Sequence, residues 1–448
     1  MFKKFAVFLV AVAACLQAPA AETNSLAWHR ATGRVDANIH DMALMPLLEK
    51  IAAAADWRIY VEPDTTYTAS AKFRNLPSQD ALKMLLGTLN FALVPQTNGL
   101  PRLYVFRTVM KNATQPVLET KSVARHVANE LLVRLKPGAD ADALAKLLGA
   151  KITGRNDKLG LYRLLFDNPG ATDAALGKLK NNRDVADVDY NYYYDPPPTP
   201  QMLSSAPVGP LSLTLNPPGD SGRTIVGLID TPVQSLGKNL DQFVRKPISV
   251  AGDATIDNSQ PTHGTAMAYT ILSAIAQQSA NATSAEILPV DVYGSSPNTT
   301  TWNVALGVQQ AVDNGAKVLN LSLGGPNDSP ILANVLQQTV ADGIPVYAAA
   351  GNQPVTSQTY PAADQGVISV TALQQQGLLA SYANDGTWVD LALPGTSVVY
   401  FGTQPWGFQG TSVSTAYATG VAAGNRAATG FSWTQIMSAM QQKFPVPH

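Results

Sequence analysis

Short apolar runs at 225–229, 286–292, 318–323, 345–350 and 367–371 alternate with stretches of helical periodicity at 266–276, 302–313 and 331–342. A strand that is apolar on both faces must be covered on both, and a helix between successive strands supplies the crossover that keeps them parallel. Residues 221–448 therefore predict an α/β domain, with a parallel sheet between two helical layers. In open sheets of this kind chemistry collects at the carboxyl ends of the strands.

Two smaller patterned regions precede it. In residues 25–108, Met42, Leu44, Leu47, Leu48, Ile51 and Ala52 recur at helical spacing from residue 41 to 54. Ser78 is a candidate N-cap for a second helix with the stripe Ala81, Leu82, Leu85 and Leu86, and strand patterns cover 57–61, 91–94 and 102–106. This is a small α+β domain. Residues 109–123 are polar and weakly patterned, which predicts a linker. Residues 124–195 alternate strand, helix, strand, strand, helix, strand, the split-βαβ or ferredoxin-like plan. Pro196-Pro197-Pro198-Thr199-Pro200 then marks a stiff, exposed linker over 196–220, since proline neither extends a sheet interior nor enters a helix interior.

At the start, Lys3 and Lys4 precede an apolar run from Phe5 to Leu16 that is too short to cross a bilayer, and Ala18-Pro19-Ala20 offers small residues for cleavage. This predicts a signal peptide over 1–20 and an exported protein, in the periplasm, the outer envelope or secreted. Val12-Ala13-Ala14-Cys15 also resembles a bacterial lipobox, which keeps lipid attachment at Cys15 as an alternative. After residue 22 no apolar run approaches the roughly 20 residues of a membrane span. The 31 Lys and Arg against 32 Asp and Glu leave no global positive field, so no nucleic-acid partner is expected.

Asp230 closes the apolar run 225–229, His263 stands at the head of a helical stretch, and Ser412 precedes the small, apolar run 413–423. Singly, each reads equally as a turn former or helix cap. Together they supply what acyl transfer needs. A serine hydroxyl is a poor nucleophile until an imidazole takes its proton, and the imidazole needs a carboxylate to hold its tautomer and support its charge. Asn352, after the run 345–350 and Gly351, offers a side-chain NH2 that can stabilise an oxyanion together with the Ser412 backbone N–H.

At these residues the chain resembles the subtilisin-like serine proteases. The blocks IVGLIDTPV, THGTAMAYTI, VLNLSLGGPN, VYAAAGN, YPAADQGVISVTAL, DLALPGTSV and GTSVSTAYATGVAAG follow that family's order and spacing. The resemblance implies a catalytic triad of Asp230, His263 and Ser412, Asn352 as the oxyanion residue, and Ser322-Leu323-Gly324-Gly325 as the edge on which a substrate peptide pairs. NELLVRLKPG at 129–138 and VADVDY at 185–190 resemble the start and end of a subtilisin-type propeptide, which implies a zymogen with self-cleavage between about residues 195 and 206. The pattern of 25–108, FRNLPSQDALKMLLGTLNFALV above all, resembles the short N-terminal domain of secretins and TonB-dependent receptors. That implies an envelope or secretion-system partner in addition to a protein or peptide substrate.

Several positions depart from the family's pattern: Pro232, Ala266, Tyr269, Ala416 and Tyr417. None removes a proton carrier. They do leave a second reading, a degenerate relative that binds peptides without cutting them. Calcium is common in the family, but no acidic cluster shows ligand spacing, so no cofactor is assigned.

Overall fold

The structure, a computed structural model, describes residues 24–447 apart from 31, 64, 95–100, 114, 118–124, 195–197, 206–208, 218–221, 354–357, 375–376 and 381. The expected signal segment with Cys15, and Asp195, Pro196, Pro197 and Ala206, lie outside the described residues. The chain divides into two compact units, Met1–Val117 and Leu118–His448.

In the first unit the helices Leu44–Ala55 and Ser78–Leu86 bury Leu47, Leu48, Ile51, Leu82, Leu85 and Leu86 in one core with Ile59, Val61, Leu103 and Val105. Ser25–His29, Arg34–Ala43 and Thr68–Pro77 form an antiparallel sheet. Asn90–Val94, Arg102–Phe106, Arg58–Val61 and Gln115–Val117 form a second, in that order. Two details differ from the sequence expectation. The first helix begins at Leu44 rather than 41, because the period-2 alternation of Val35, Ala37 and Ile39 carries a strand through Ala43. Residues 115–117, expected in a linker, pair antiparallel with Arg58–Val61. Three residues give too short a period to be read without their partner.

The second unit begins with a ferredoxin-like sheet ordered Val185–Tyr194, His126–Leu135, Leu161–Leu165, Lys151–Asn156, antiparallel throughout. Its helices Ala141–Leu148 and Pro169–Leu179 start at side-chain caps: Asp140 accepts from the N–H groups of Asp142 and Ala143, and Asn168 from that of Ala171. Val185–Tyr194 continues past this module and pairs with Thr299–Thr300. Buried Asn191 ties the junction, accepting from the Trp302 N–H at 3.0 Å and donating to Glu130 at 2.8 Å.

The rest of the unit is built on a seven-stranded parallel sheet. Its order is Ile248–Ser249, Glu286–Asp291, Ile225–Asp230, Val318–Leu321, Val346–Ala349, Ile368–Leu373, Leu391–Pro394. The helices His263–Gln278 and Thr411–Thr429 cover one face, and Thr301–Asp313 and Pro330–Ala341 the other. Val318–Leu321 and Val346–Ala349 are buried at every position, which is why those runs lack polar alternation. This is the expected α/β fold class, a parallel-sheet domain preceded by two small α+β modules.

Candidate active site

Asp230 ends the strand Ile225–Asp230 and His263 begins the helix His263–Gln278, whose N-cap Thr262 accepts from the Thr265 N–H. Strand end and helix start can meet because residue 264 is glycine. A Cβ there would stand 2.1 Å from the Thr231 carbonyl oxygen. His263 Nδ1 lies 2.8 Å from Asp230 Oδ1, and both side chains are 3% exposed. A carboxylate oxygen accepts, so Nδ1 is the donor of this bond and Nε2 is the ring nitrogen that points elsewhere. The Thr231 N–H donates to the same carboxylate oxygen at 2.7 Å, fixing its rotamer. Nε2 is buried without a hydrogen-bond partner among the described residues. Such an orphaned atom costs about 1–3 kcal/mol, a cost that functional sites carry.

Ser412 is the second residue of Thr411–Thr429, where its own N–H has no acceptor within the helix. Its hydroxyl donates to the Ser322 carbonyl at 3.1 Å, not to Nε2. Ser322 Oγ donates back to the Ser412 carbonyl at 3.0 Å and accepts from Asn320 Nδ2 at 2.9 Å. The end of Val318–Leu321 and the head of the serine helix are thereby clasped. Among the four residues expected to form a substrate edge, Ser322 acts in this clasp, Ser322 and Leu323 are buried, and Gly325 exchanges both backbone hydrogen bonds with Tyr360 at 2.8 Å. Gly325 thus already pairs with Tyr360 through its N–H and carbonyl, and Gly324 lies between it and the buried pair.

Asn352 is exposed on the loop after Val346–Ala349. Its Oδ1 accepts from the Thr411 N–H at 2.8 Å and the Thr411 hydroxyl at 3.1 Å, which orients the amide and leaves Nδ2 as the outward donor. Gly410, at φ 152°, precedes the helix, and a Cβ there would crowd Nδ2 at 3.2 Å.

The five departures from the family pattern have identifiable contacts or burial. Ala266 and Ala416 are fully buried. The Tyr269 hydroxyl accepts from the Leu211 N–H at 2.8 Å, the Tyr417 hydroxyl donates to Gln277, and the Pro232 carbonyl accepts from Thr262. Thr231 and Asn320, whose bonds hold the aspartate and the clasp, were not singled out by sequence reasoning. Thr231 follows Asp230 directly and Asn320 stands two residues before Ser322, which is the only signal they carry.

A cavity of about 270 Å³ opens beside His263, lined in part by Pro198, Thr199, Pro200, Thr231 and Tyr293. Among the described residues no three His, Cys, Asp or Glu side chains gather as a cation site.

Residues 221–444 match the subtilase family, the peptidases of family S8. The chain belongs to this family. Residues 112–191 match the fervidolysin N-terminal prodomain. The thermophilic serine proteinase of Bacillus sp. (strain AK1) is 30% identical over 337 residues, 71% of this chain and 82% of that one. Thermitase from Thermoactinomyces vulgaris is 32% identical over 226 residues, 48% of this chain and 79% of its own length. Fervidolysin from Fervidobacterium pennivorans shares the fold at a TM-score of 0.57 and 19% identity, over 70% of this chain and 57% of that structure. This subtilase is thus a subtilisin-like serine endopeptidase with a prodomain, the zymogen arrangement its propeptide-like segment implied. The likeness of residues 25–108 to secretin and TonB-receptor domains has no counterpart in these matches.

Proposed function

We propose that this subtilase hydrolyses internal peptide bonds of exported or extracellular proteins through Asp230, His263 and Ser412, with Asn352 Nδ2 and the Ser412 N–H holding the oxyanion. The observation that carries the reading is the buried 2.8 Å contact between Asp230 and His263 Nδ1, which leaves Nε2 as an unpartnered base in the domain that also presents Ser412 at a helix head. Nε2 takes the Ser412 proton as Oγ attacks the carbonyl, then returns it to the departing amine, and water repeats the cycle on the acyl-enzyme. Ser412 must turn its hydroxyl from the Ser322 carbonyl to Nε2 for this. Export follows from the Lys3–Lys4 and Phe5–Leu16 pattern, with Cys15 as the alternative lipid site. The compact first unit, with its own core, suits docking to an envelope or secretion-system partner.

The test is a fluorophosphonate probe, which reacts quickly only with a serine activated by a base. Labelling at Ser412 that is lost in His263→Ala supports the triad. Protein that stays unlabelled after removal of residues 24–200 by an added protease refutes it.

A further inference from the structure

In the first unit Arg58–Val61 and Arg102–Phe106 pair parallel, and the register sets Ile59 against Leu103 and Val61 against Val105, all four buried in the unit's core. Period-2 alternation turns Arg58, Tyr60, Arg102 and Tyr104 to the opposite face of the sheet. Arg58 is exposed there and the other three are half-buried. Arg58 and Arg102 stand directly opposite each other on strands about 4.8 Å apart. Like charges so placed repel and weaken a sheet. Neither guanidinium makes a hydrogen bond or ion pair with a described residue. The acid next in the alternation, Glu62, is already committed: it is buried and accepts from the Arg107 and Thr108 N–H groups at 2.7 and 3.0 Å and from the Thr108 hydroxyl at 2.8 Å.

Beside the arginines, Tyr60 and Tyr104 stack on each other, 5.3 Å between centroids and 17° between planes. The register sets Ala92 on the other side of Tyr104. Facing ring surfaces are closed to a sugar or a base, and what such a pair presents is ring edges, the positive rim of the quadrupole, and hydroxyls. Neither hydroxyl is bonded to a described residue. The patch therefore offers donors and positive charge, and its own acid does not neutralise it.

We propose that this patch docks an extended acidic segment of a partner protein, with carboxylates two residues apart. The proposal rests on the docking reading above, to which it adds the partner's chemistry, and it is independent of the triad. A carboxylate takes two parallel N–H bonds from a guanidinium, and one placed between Arg58 and Arg102 offsets their repulsion. Along a strand, residues two apart are separated by about 6.6 Å, which is the step from the arginine row to the tyrosine row. An extended partner lying along these strands repeats at the same distance. One of its carboxylates meets the guanidiniums and the next meets the hydroxyls.

Fluorescence anisotropy of labelled dodecapeptides decides it, on the full chain carrying Ser412→Ala, to spare the peptide, and Cys15→Ser, to remove lipid attachment. An alternating Glu-Ala peptide should bind and an alternating Lys-Ala peptide should not. Arg58→Gln with Arg102→Gln should weaken the acidic peptide about tenfold, and Tyr60→Phe with Tyr104→Phe about threefold. The arginine variant should melt no lower than its parent, because removing opposed charges relieves repulsion. Failure of the acidic peptide to bind, equal binding by the arginine variant, or equally tight binding of phosphatidylglycerol vesicles or polygalacturonate overturns the proposal. Fractionation of the same proteins in an exporting host separates this failure from that of the docking reading. Release of the arginine variant from the envelope fraction supports the patch, and an envelope-bound parent that the variant matches refutes the patch alone. A parent absent from the envelope refutes docking as well.

Discussion

Two substitutions at Asn352 separate the two things its side chain does. Oδ1 accepts two hydrogen bonds from Thr411, the residue before the proposed nucleophile, which leaves Nδ2 as the side chain's donor. Asn352→Ala removes both functions. The lost Thr411 bonds are neutral and half-exposed, so they should cost about 1–2 kcal/mol of stability together. The lost oxyanion donor should lower kcat about 100- to 1,000-fold, equivalent to about 2.7–4 kcal/mol of transition-state stabilisation. Asn352→Asp keeps the acceptor for Thr411 and replaces the donor with an oxygen. Its melting temperature should therefore match wild type at neutral pH, while kcat falls at least as far as in the alanine variant, because a carboxylate repels the developing negative charge. The assay is kcat on a peptide anilide, normalised by active-site titration, beside a thermal melt of the same samples. Wild-type turnover in Asn352→Asp would show that the oxyanion is held elsewhere. Loss of stability without loss of turnover in Asn352→Ala would reduce Asn352 to a helix cap.

Other perturbations follow from the same geometry. Ser412→Ala should abolish hydrolysis of unfolded casein while leaving the unfolding free energy within about 1 kcal/mol of wild type, since one hydroxyl and its bond to Ser322 are lost; residual turnover above background would remove Ser412 from the nucleophile role. Gly264→Ala should destabilise the protein by at least about 1–3 kcal/mol, because the new methyl would overlap the Thr231 carbonyl oxygen, and a melt indistinguishable from wild type would refute that close approach. Burial, reinforced by the Asp328 charge, pushes the Asp364 carboxyl up to about 7 from its ordinary 3.8. As pH rises the unfolded chain releases this proton first, so stability from this group is whole below the ordinary value and is lost on approaching pH 7. Asp364→Asn should thus melt like wild type at about pH 4 and higher than wild type at about pH 8, and a pH-independent difference would count against a raised carboxyl.

The sheet, its helical layers and the ferredoxin-like module were legible because they rest on local periodicity. Apolar runs without alternation, as at Val318–Leu321 and Val346–Ala349, can satisfy burial only inside a covered parallel sheet. Ferredoxin-like order is likewise a succession of period-2 and period-3.6 stretches. Asp230, His263 and Ser412 were singled out through the sequence blocks that resemble the subtilisin-like proteases, because by residue type alone each reads as a turn former or helix cap. What distance in space alone determines was not legible. The closure of Gly325 by Tyr360, the Ser322 carbonyl as acceptor for Ser412, and the strand at 115–117 all depend on partners remote in sequence that leave no periodic trace. The proline run shows this most plainly. Its composition predicts an exposed spacer, because proline disrupts regular structure wherever it occurs. The tertiary structure leaves Thr199 exposed yet sets it with Pro198 and Pro200 beside His263, because Tyr194 and Gln201 on either side are drawn into backbone pairing that their own sequence does not announce.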